Sequence, residues 1–581
     1  MDMKHLRSIG SEIWAKIGQH DWTKEDAWMT VGIGFGTYIF IWFFRYLKVH
    51  YRVRGLKKIN SAIEVFEAGH RWNLPHIPFL LPAKDFTLKE PWKMQKRRRH
   101  SSSQEEYEHA KSDLIAYTQA TTPGYAVYST SNPQVAQKIS TNVLTFGKPI
   151  HVFRYRAINI FGLQLTSTQS GPEHRRHRNV VKGCFGEEVM MTAWDKAVEC
   201  LGDMYVAEGL EDGGVLDNVR LAMYKLTLLI IGAAGFGVKF PWKVPETHGE
   251  ILPFYEALHL VEVNITAELL VPLWLLENFP LSSVRRLGKA QRSLVHHFKN
   301  MIETRRAVLK AEQEGLNPGE KIKPPSDLLG AIVASQMSVE AEEKLRGGSR
   351  QVGLTAEEQV ATVWIFILAG HETSGNMLAF TLGYLSVYPE WQEKIFKEIE
   401  EACHGAYPTY REVNNMPSIL ACVFESLRLR DLAMTLPKLA MEDTSIPYTT
   451  WDDHGNTTHH IHPIKKGDHI VIDGPAVGHN PFFWRDTQTW DPTRWFGGEG
   501  VINKNLSISF SAGQRQCIGK RFAEVEMTAV LASIVKKFRF EPIRNKDETD
   551  EELKLRMTDG YEVLTLTPNN FSIRFIKREG V

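Results

Sequence analysis

Cysteine is scarce in this chain: five residues in 581, namely Cys184, Cys200, Cys403, Cys422 and Cys517. Their number is odd and no C-x-x-C pair occurs. That excludes a disulfide framework and a zinc ribbon, and suits a reducing, cytosolic environment. Net charge is nearly absent too. Lys and Arg total 69 against 68 Asp and Glu, so no global attraction to nucleic acid follows. No internal repeat is evident. What remains is 43% hydrophobic and 24% charged, a globular balance with ample length for a large core.

One segment breaks that balance. Ala27 to Phe44 carries no formal charge and is rich in aromatic and aliphatic residues. As a helix it would span roughly 27 Å, close to the hydrocarbon thickness of an endoplasmic reticulum bilayer. Before it, Lys4, Arg7, Lys16 and Lys24 are diluted by five acids; after it come Arg45, Lys48, Arg52, Arg54, Lys57 and Lys58 with no acid among them. The positive-inside rule puts the following chain in the cytosol. The expected layout is therefore a short luminal N-terminus (1–26), a single-pass anchor (27–44), a basic stretch and linker with Pro75, Pro78 and Pro82 (45–82), and a cytosolic catalytic domain (83–581). Against a cleaved signal peptide, the positive charge lies on the wrong side and no clear small-residue cleavage site follows. Gly32, Gly34 and Gly36 leave an interfacial or buried helix as the other reading. The KRRRHSSS stretch at 96–103 reads as a solvated basic loop, with lipid contact or phosphorylation as the functional alternative.

Helical patterns dominate from about residue 185. The clearest begins at Thr355, which forms a capping-box pattern with Glu358, and runs towards Tyr388 before Pro389. In its middle lie Gly370 and Thr373, weak helix formers that mark either a packing accommodation or a functional distortion. Another helix, from about Ser418, carries Glu425 and Arg428 on one face. The C-terminal runs 563–567 and 571–575 read as strands flanking a turn at Pro568.

The sharpest local signal is FSAGQRQCIG, residues 510–519. Gly513 and Gly519 bracket Cys517 and allow a tight turn with close backbone approach. Ile518, Phe522, Val525, Ala529 and Ala532 then share a helical face. Cys517 thus falls at a helix amino terminus, where free N–H groups favour a thiolate, and Arg515 adds positive charge.

F-x-x-G-x-R-x-C-x-G, carried here by Phe510, Gly513, Arg515, Cys517 and Gly519, resembles the haem-binding signature of the cytochrome P-450 superfamily. Other marks follow in the family's order. AGHETS at 369–374 resembles its oxygen-activating segment, Glu425 and Arg428 match E-x-x-R, and Asp491 to Trp495 is similar to its P-x-R-F segment. The resemblance spans roughly residues 60 to 581 and matches the microsomal, eukaryotic class. It implies a mainly α fold with a smaller β region, the haem-thiolate fold. It implies haem b held by Cys517 as axial iron ligand, Thr373 and Glu372 as the proton-delivering pair, and Glu425, Arg428 and Arg494 as a buried ion network. Thiolate ligation of haem favours O–O cleavage.

There are departures. The propionate-binding tryptophan of W-x-x-x-R aligns with His174, while Arg178 keeps the arginine. The proline pair after E-x-x-R is missing, and Lys438 stands where a second propionate-binding arginine is usual, as a point charge without a bidentate fork. His454, His459, His460 and His462 with Asp452 and Asp453 invite a metal assignment, but the spacing is irregular and an exposed hairpin is expected.

The expected activity is an NADPH- and O2-dependent monooxygenation of a small, largely apolar substrate, fed by a separate membrane-bound flavoprotein reductase. The 64 residues after Cys517 are too few for a fused one. Similarity to fungal enzymes of secondary metabolism suggests a terpenoid or polyketide. The alternatives are a haem-thiolate isomerase or dehydratase that needs neither O2 nor reductase, and a non-enzymatic haem-binding membrane protein.

Overall fold

The computed structural model describes residues 24–56, 58–65, 70–73, 95–96, 102–119, 124–243, 249–315, 327–346, 353–496 and 506–579. Pro75, Pro78, Pro82 and residues 97–101 of the basic stretch lie outside them. The chain divides into two compact units.

The first unit gathers Met1–Glu64, Trp72–Lys93 and Ala116–Ala126. Its helix α1, Lys24–Arg52, continues beyond Phe44 through the first basic residues. Trp28, Ile33, Phe35, Phe40 and Phe44 are exposed along it. Its Trp28–Arg52 portion is long and apolar enough to cross a membrane. The strand Lys58–Val65 then pairs in parallel with residues 116–119, so part of the stretch read as linker is sheet.

The second unit holds Val65–Arg71, Met94–Ile115 and Val127–Val581. It is mainly helical. The helices that build the site are α2 (Pro172–Lys182), α3 (Val219–Ile230), α4 (Phe254–Val263), α5 (Ala356–Val387), α6 (Pro417–Leu429) and α7 (Lys520–Lys537). Strand β1 (Val127–Thr130) runs parallel to β3 (His469–Asp473), which pairs antiparallel with β2 (Thr435–Ala440). Helix formation starts earlier than expected: Pro133–Thr141 and α2 both precede residue 185, each opened by a proline in its first turn.

Helix α5 is the axis of this unit. Thr355 caps it, its side chain accepting from the Glu358 N–H at 3.2 Å while Glu358 accepts from the Thr355 N–H at 2.9 Å. The helix is apolar nearly all round and mostly buried, as a helix inside a large core must be. Gly370 and Thr373 do not break it. Gly370 is a packing accommodation, since an added Cβ would stand 3.1 Å from the Ile231 side chain. At Gly375 a Cβ would meet Tyr224 Cα and Thr227 Oγ1, both at 2.9 Å. Glycine there lets α3 and α5 touch, and an alanine would overpack the contact by about 1–3 kcal/mol.

Two expectations need correction. The runs 563–567 and 571–575 do not pair with each other. Ile573–Lys577 lies between Phe538–Pro542 and Gly213–Leu216, and Leu566–Pro568 pairs with Gly560–Glu562. The histidine-rich hairpin forms, Thr444–Trp451 against Thr457–Ile464, but it is not exposed throughout. Alternation sends His459 and His460 to opposite faces, and His462 is buried against the Tyr128 ring.

Candidate active site

The segment around Cys517 folds as a tight loop. Ser511 (φ 58°) and Gly513 (φ 67°) turn the chain, and the Cys517 N–H donates back to Phe510 O at 2.9 Å. At Gly513 a Cβ would come 3.0 Å from Thr141 Cα, so this glycine is required by close approach, as its place in the motif suggests. Gly519 differs. Its φ is ordinary and no protein atom would meet an added Cβ, because it borders a cavity. Helix α7 begins at Lys520, so Cys517 stands just ahead of it rather than in its first turn.

Cys517 is exposed, but to that cavity. Its depth pushes the thiol above its usual range, opposed by the Gly519 N–H and by the charges of Arg178 and Lys520. The other four cysteines are buried. Phe510, Ile518 and Phe522 line the cavity on the Cys517 side, and Ile365, Phe366, Ala369, Gly370 and Thr373 of α5 also line it.

One edge of the cavity is basic, with Lys148, His174, Arg178 and Arg515, and among the described residues no Asp or Glu lines it. His174 and Arg178 share a face of α2, four residues apart. Burial, then the charges of Arg515 and Arg178, push His174 down to about 3, so it stays neutral. Burial and Arg515 push Lys438 down to about 8, and burial pushes Arg515 down to about 10. Arg515 donates to Ser170 Oγ at 3.1 Å and to Thr168 O at 2.6 Å, and Lys148 to Thr166 O at 2.6 Å. Arg178 reaches Gln516 O at 3.4 Å. These cations crowd one another, and an anion at the edge would relieve each of them. Lys438, buried in β2, is near enough to Arg515 to feel its charge but does not line the cavity. No sequence motif marked Lys148.

The donor set fits haem. A thiol open to an apolar space suits the iron, and a basic, acid-free edge suits two propionates. The bare Gly519 leaves room for a flat ring.

On α5, Thr373 faces the cavity and its Oγ1 donates to Ala369 O at 2.8 Å. Glu372, about 100° around the helix, does not line it. Its Oε1 accepts from Thr565 Oγ1 at 2.7 Å, and Asn376 in turn donates to Thr565 at 3.0 Å. Burial, then the charge of Glu262, push Glu372 up to about 7. Of the pair that the resemblance makes proton-delivering, Thr373 lines the cavity and Glu372 does not. Sequence reasoning missed Glu526 of α7, a carboxyl without exposure beside Ser374, pushed up to about 8 by burial.

Glu425, Arg428 and Arg494 do come together. Arg428 grips Glu425 with two bonds, at 3.0 and 2.8 Å, and Arg494 Nε donates to it at 3.2 Å. Trp495 Nε1 and the Asp491 N–H complete the carboxylate's shell at 3.0 and 2.9 Å. Glu425 and Arg428 are buried, so this is no surface pair. A further carboxylate joins two helices near the cavity. Arg176 of α2 donates to both oxygens of Glu358, at 2.7 and 2.5 Å.

A profile of the family described as cytochrome P-450 matches residues 124–573. Cytochrome P-450 monooxygenase 124 of Postia placenta is 29% identical over 466 residues, covering 78% of this chain and 84% of the relative. Cytochrome P-450 monooxygenase 205 of the same fungus is 26% identical, covering 67% and 72%. Secologanin synthase 2 of Catharanthus roseus is 24% identical, covering 70% and 72%.

Proposed function

Because this chain belongs to the cytochrome P-450 family, we propose that it is a haem monooxygenase that inserts one oxygen atom from O2 into a small, largely apolar substrate. NADPH supplies the electrons through a separate flavoprotein reductase. The observation that carries this reading is the exposed thiol of Cys517, open to an apolar cavity whose edge is cationic and whose wall presents Thr373, while Cys184, which also lines it, is itself buried.

Bound haem b supplies the oxygen chemistry. Cys517 would hold the iron, helped towards the thiolate by the Gly519 N–H, Arg178 and Lys520. Arg178, Arg515 and Lys148 would hold the propionates, with neutral His174 as a hydrogen-bonding partner and Lys438 reinforcing the field from behind. Thr373, whose hydroxyl faces the cavity, would position a water there. Glu372, held by Thr565 behind the helix, stores a proton one residue away, at a protonation balance matched to neutral pH. Ile365 and Phe366 keep bulk water out and favour apolar substrates. The network of Glu425, Arg428 and Arg494 supports the fold without touching substrate.

In this reading α1 anchors the protein in the endoplasmic reticulum membrane with the catalytic part, 83–581, in the cytosol. A role in fungal secondary metabolism, on a terpenoid or polyketide, rests on resemblance alone. The test is turnover by the chain with a reductase. Oxygenated product should need both air and NADPH. Product formed under argon without NADPH would replace this reading with an isomerase or dehydratase.

A further inference from the structure

On α5, next to Glu372, lies a side chain that the proposed chemistry leaves without a task. His371 is fully buried. Its Nδ1 is 2.6 Å from Ile367 O, and its Nε2 is 3.3 Å from Glu262 Oε1 on α4. Tyr224 of α3 donates its hydroxyl to the other oxygen of Glu262, and its ring meets the imidazole edge-on with centroids 4.6 Å apart. Thr227 fixes the same turn, its Oγ1 donating to His371 O at 2.8 Å. One ring nitrogen faces a carbonyl and the other a carboxylate. An imidazolium, which donates from both, suits the carbonyl on one side and a carboxylate at ion-pair distance on the other. Burial opposes that charge, but Glu262 and the Ile367 carbonyl outweigh it and hold His371 above its usual range.

Glu372 feels the same groups. Glu262 repels its ionised form, and His371 attracts it. The titratable groups around the pair are Tyr224 on α3, Glu262 and Tyr255 on α4, and, from the α7 side, Glu526, whose carboxyl feels the His371 charge.

We propose that His371 and Glu262 are positioning residues for Glu372: a buried ion pair, steadied by Tyr224, sets the field in which Glu372 holds and releases its proton. The inference rests on the reading of Glu372 as the proton store.

Opposite shifts are its signature. His371→Gln leaves Glu262 unshielded, so Glu372 keeps its proton to higher pH. Glu262→Gln removes the repulsion, so Glu372 releases its proton at lower pH. Tyr224→Phe takes one donor from Glu262, weakens the anion, and moves Glu372 the same way as Glu262→Gln but less. The measurement is the ratio of product to NADPH consumed across the neutral pH range, for the full chain with haem and reductase. The midpoint should rise by about one unit in His371→Gln and fall by a similar amount in Glu262→Gln, about a tenfold change in proton affinity each way. The carbon monoxide spectrum should be unchanged, since none of the three residues lines the cavity. Glu262→Gln and Tyr224→Phe keep shape and read the shift even where His371→Gln folds poorly. Unmoved midpoints, or movement of His371→Gln and Glu262→Gln in the same direction, or of Glu262→Gln and Tyr224→Phe in opposite directions, would overturn the inference while leaving Glu372 in place. A Glu372→Gln variant with normal coupling at every pH would instead remove the proton store and the inference with it.

Discussion

Replacing Glu425 with alanine takes the acceptor from five hydrogen bonds at once, supplied by Arg428 (two), Arg494, Trp495 and the Asp491 N–H. The guanidinium of Arg428 stays buried without its counterion, though it keeps bonds to Gly478 O, Thr487 O and Thr489 O. Losing one partner of a buried charge pair costs about 3–5 kcal/mol. The orphaned Trp495 and Asp491 donors add about 1 kcal/mol or more each where water does not replace the carboxylate. Arg494→Ala is milder. It removes one bond to Glu425 at 3.2 Å and one to Asp486 O at 3.3 Å, and Arg428 still neutralises Glu425, so about 1.5–3 kcal/mol is expected. The two variants should therefore separate by at least about 2 kcal/mol, roughly thirtyfold or more in the folded-to-unfolded ratio. The assay is haem-loaded protein per total protein after matched expression, followed by urea midpoints in detergent. Glu425→Ala should yield little holoprotein and Arg494→Ala an intermediate amount. An Arg494→Ala variant as impaired as Glu425→Ala, or a Glu425→Ala variant that unfolds like the wild type, would refute Glu425 as the hub.

Cys517→Ala should abolish the thiolate-type spectrum of the reduced, carbon monoxide-bound haem; a retained spectrum would dismiss it as the ligand. Thr373→Ala should still bind haem and substrate and still consume NADPH, with less oxygenated product and more hydrogen peroxide; an unchanged product-to-NADPH ratio would remove Thr373 from the mechanism. Glu358, although burial opposes its charge, is held down to about 2 by Arg176 and the Thr355 N–H, so it adds stability that is present above about pH 4.5 and lost as pH falls towards 2. That contribution is on the order of 3 kcal/mol. Glu358→Gln, which can still cap α5, should narrow its stability gap to wild type over that window, and a gap independent of pH would contradict the pairing. Deleting residues 1–58 should release the protein from membranes only partly, because Val263, Leu270, Trp274 and Leu281 are exposed apolar side chains; a truncated chain fully soluble at low salt would argue against a second contact.

Local signals were the readable ones. The Thr355–Glu358 box announces α5 because a cap is made by residues three apart. The Cys517 loop is legible for the same reason, its backbone bonds closing within ten residues. Contacts across the chain were not. Ile573–Lys577 finds partners at 538–542 and 213–216, which no turn signal near Pro568 reveals. Lys148 reaches the basic edge from far upstream of the motif. Glu372 sits beside Thr373 in sequence, yet one step along a helix rotates it by about 100°, onto Thr565. Helix Asp550–Thr558 was missed although its own box, Thr549 with Glu552, was available to be read.

The double duty of α2 bears on how this stretch can vary in length. His174 and Arg178 serve the cavity edge, while Arg176, between them, holds the Glu358 carboxylate that caps α5. The helix thus works on two sides at once, and the two sides are kept in phase by the spacing of five consecutive residues. One inserted or deleted residue inside 174–178 would turn one side by about 100° relative to the other, so either the cation edge or the cap of α5 would be lost. Substitution can be absorbed here by a side chain of similar chemistry; a change of length cannot.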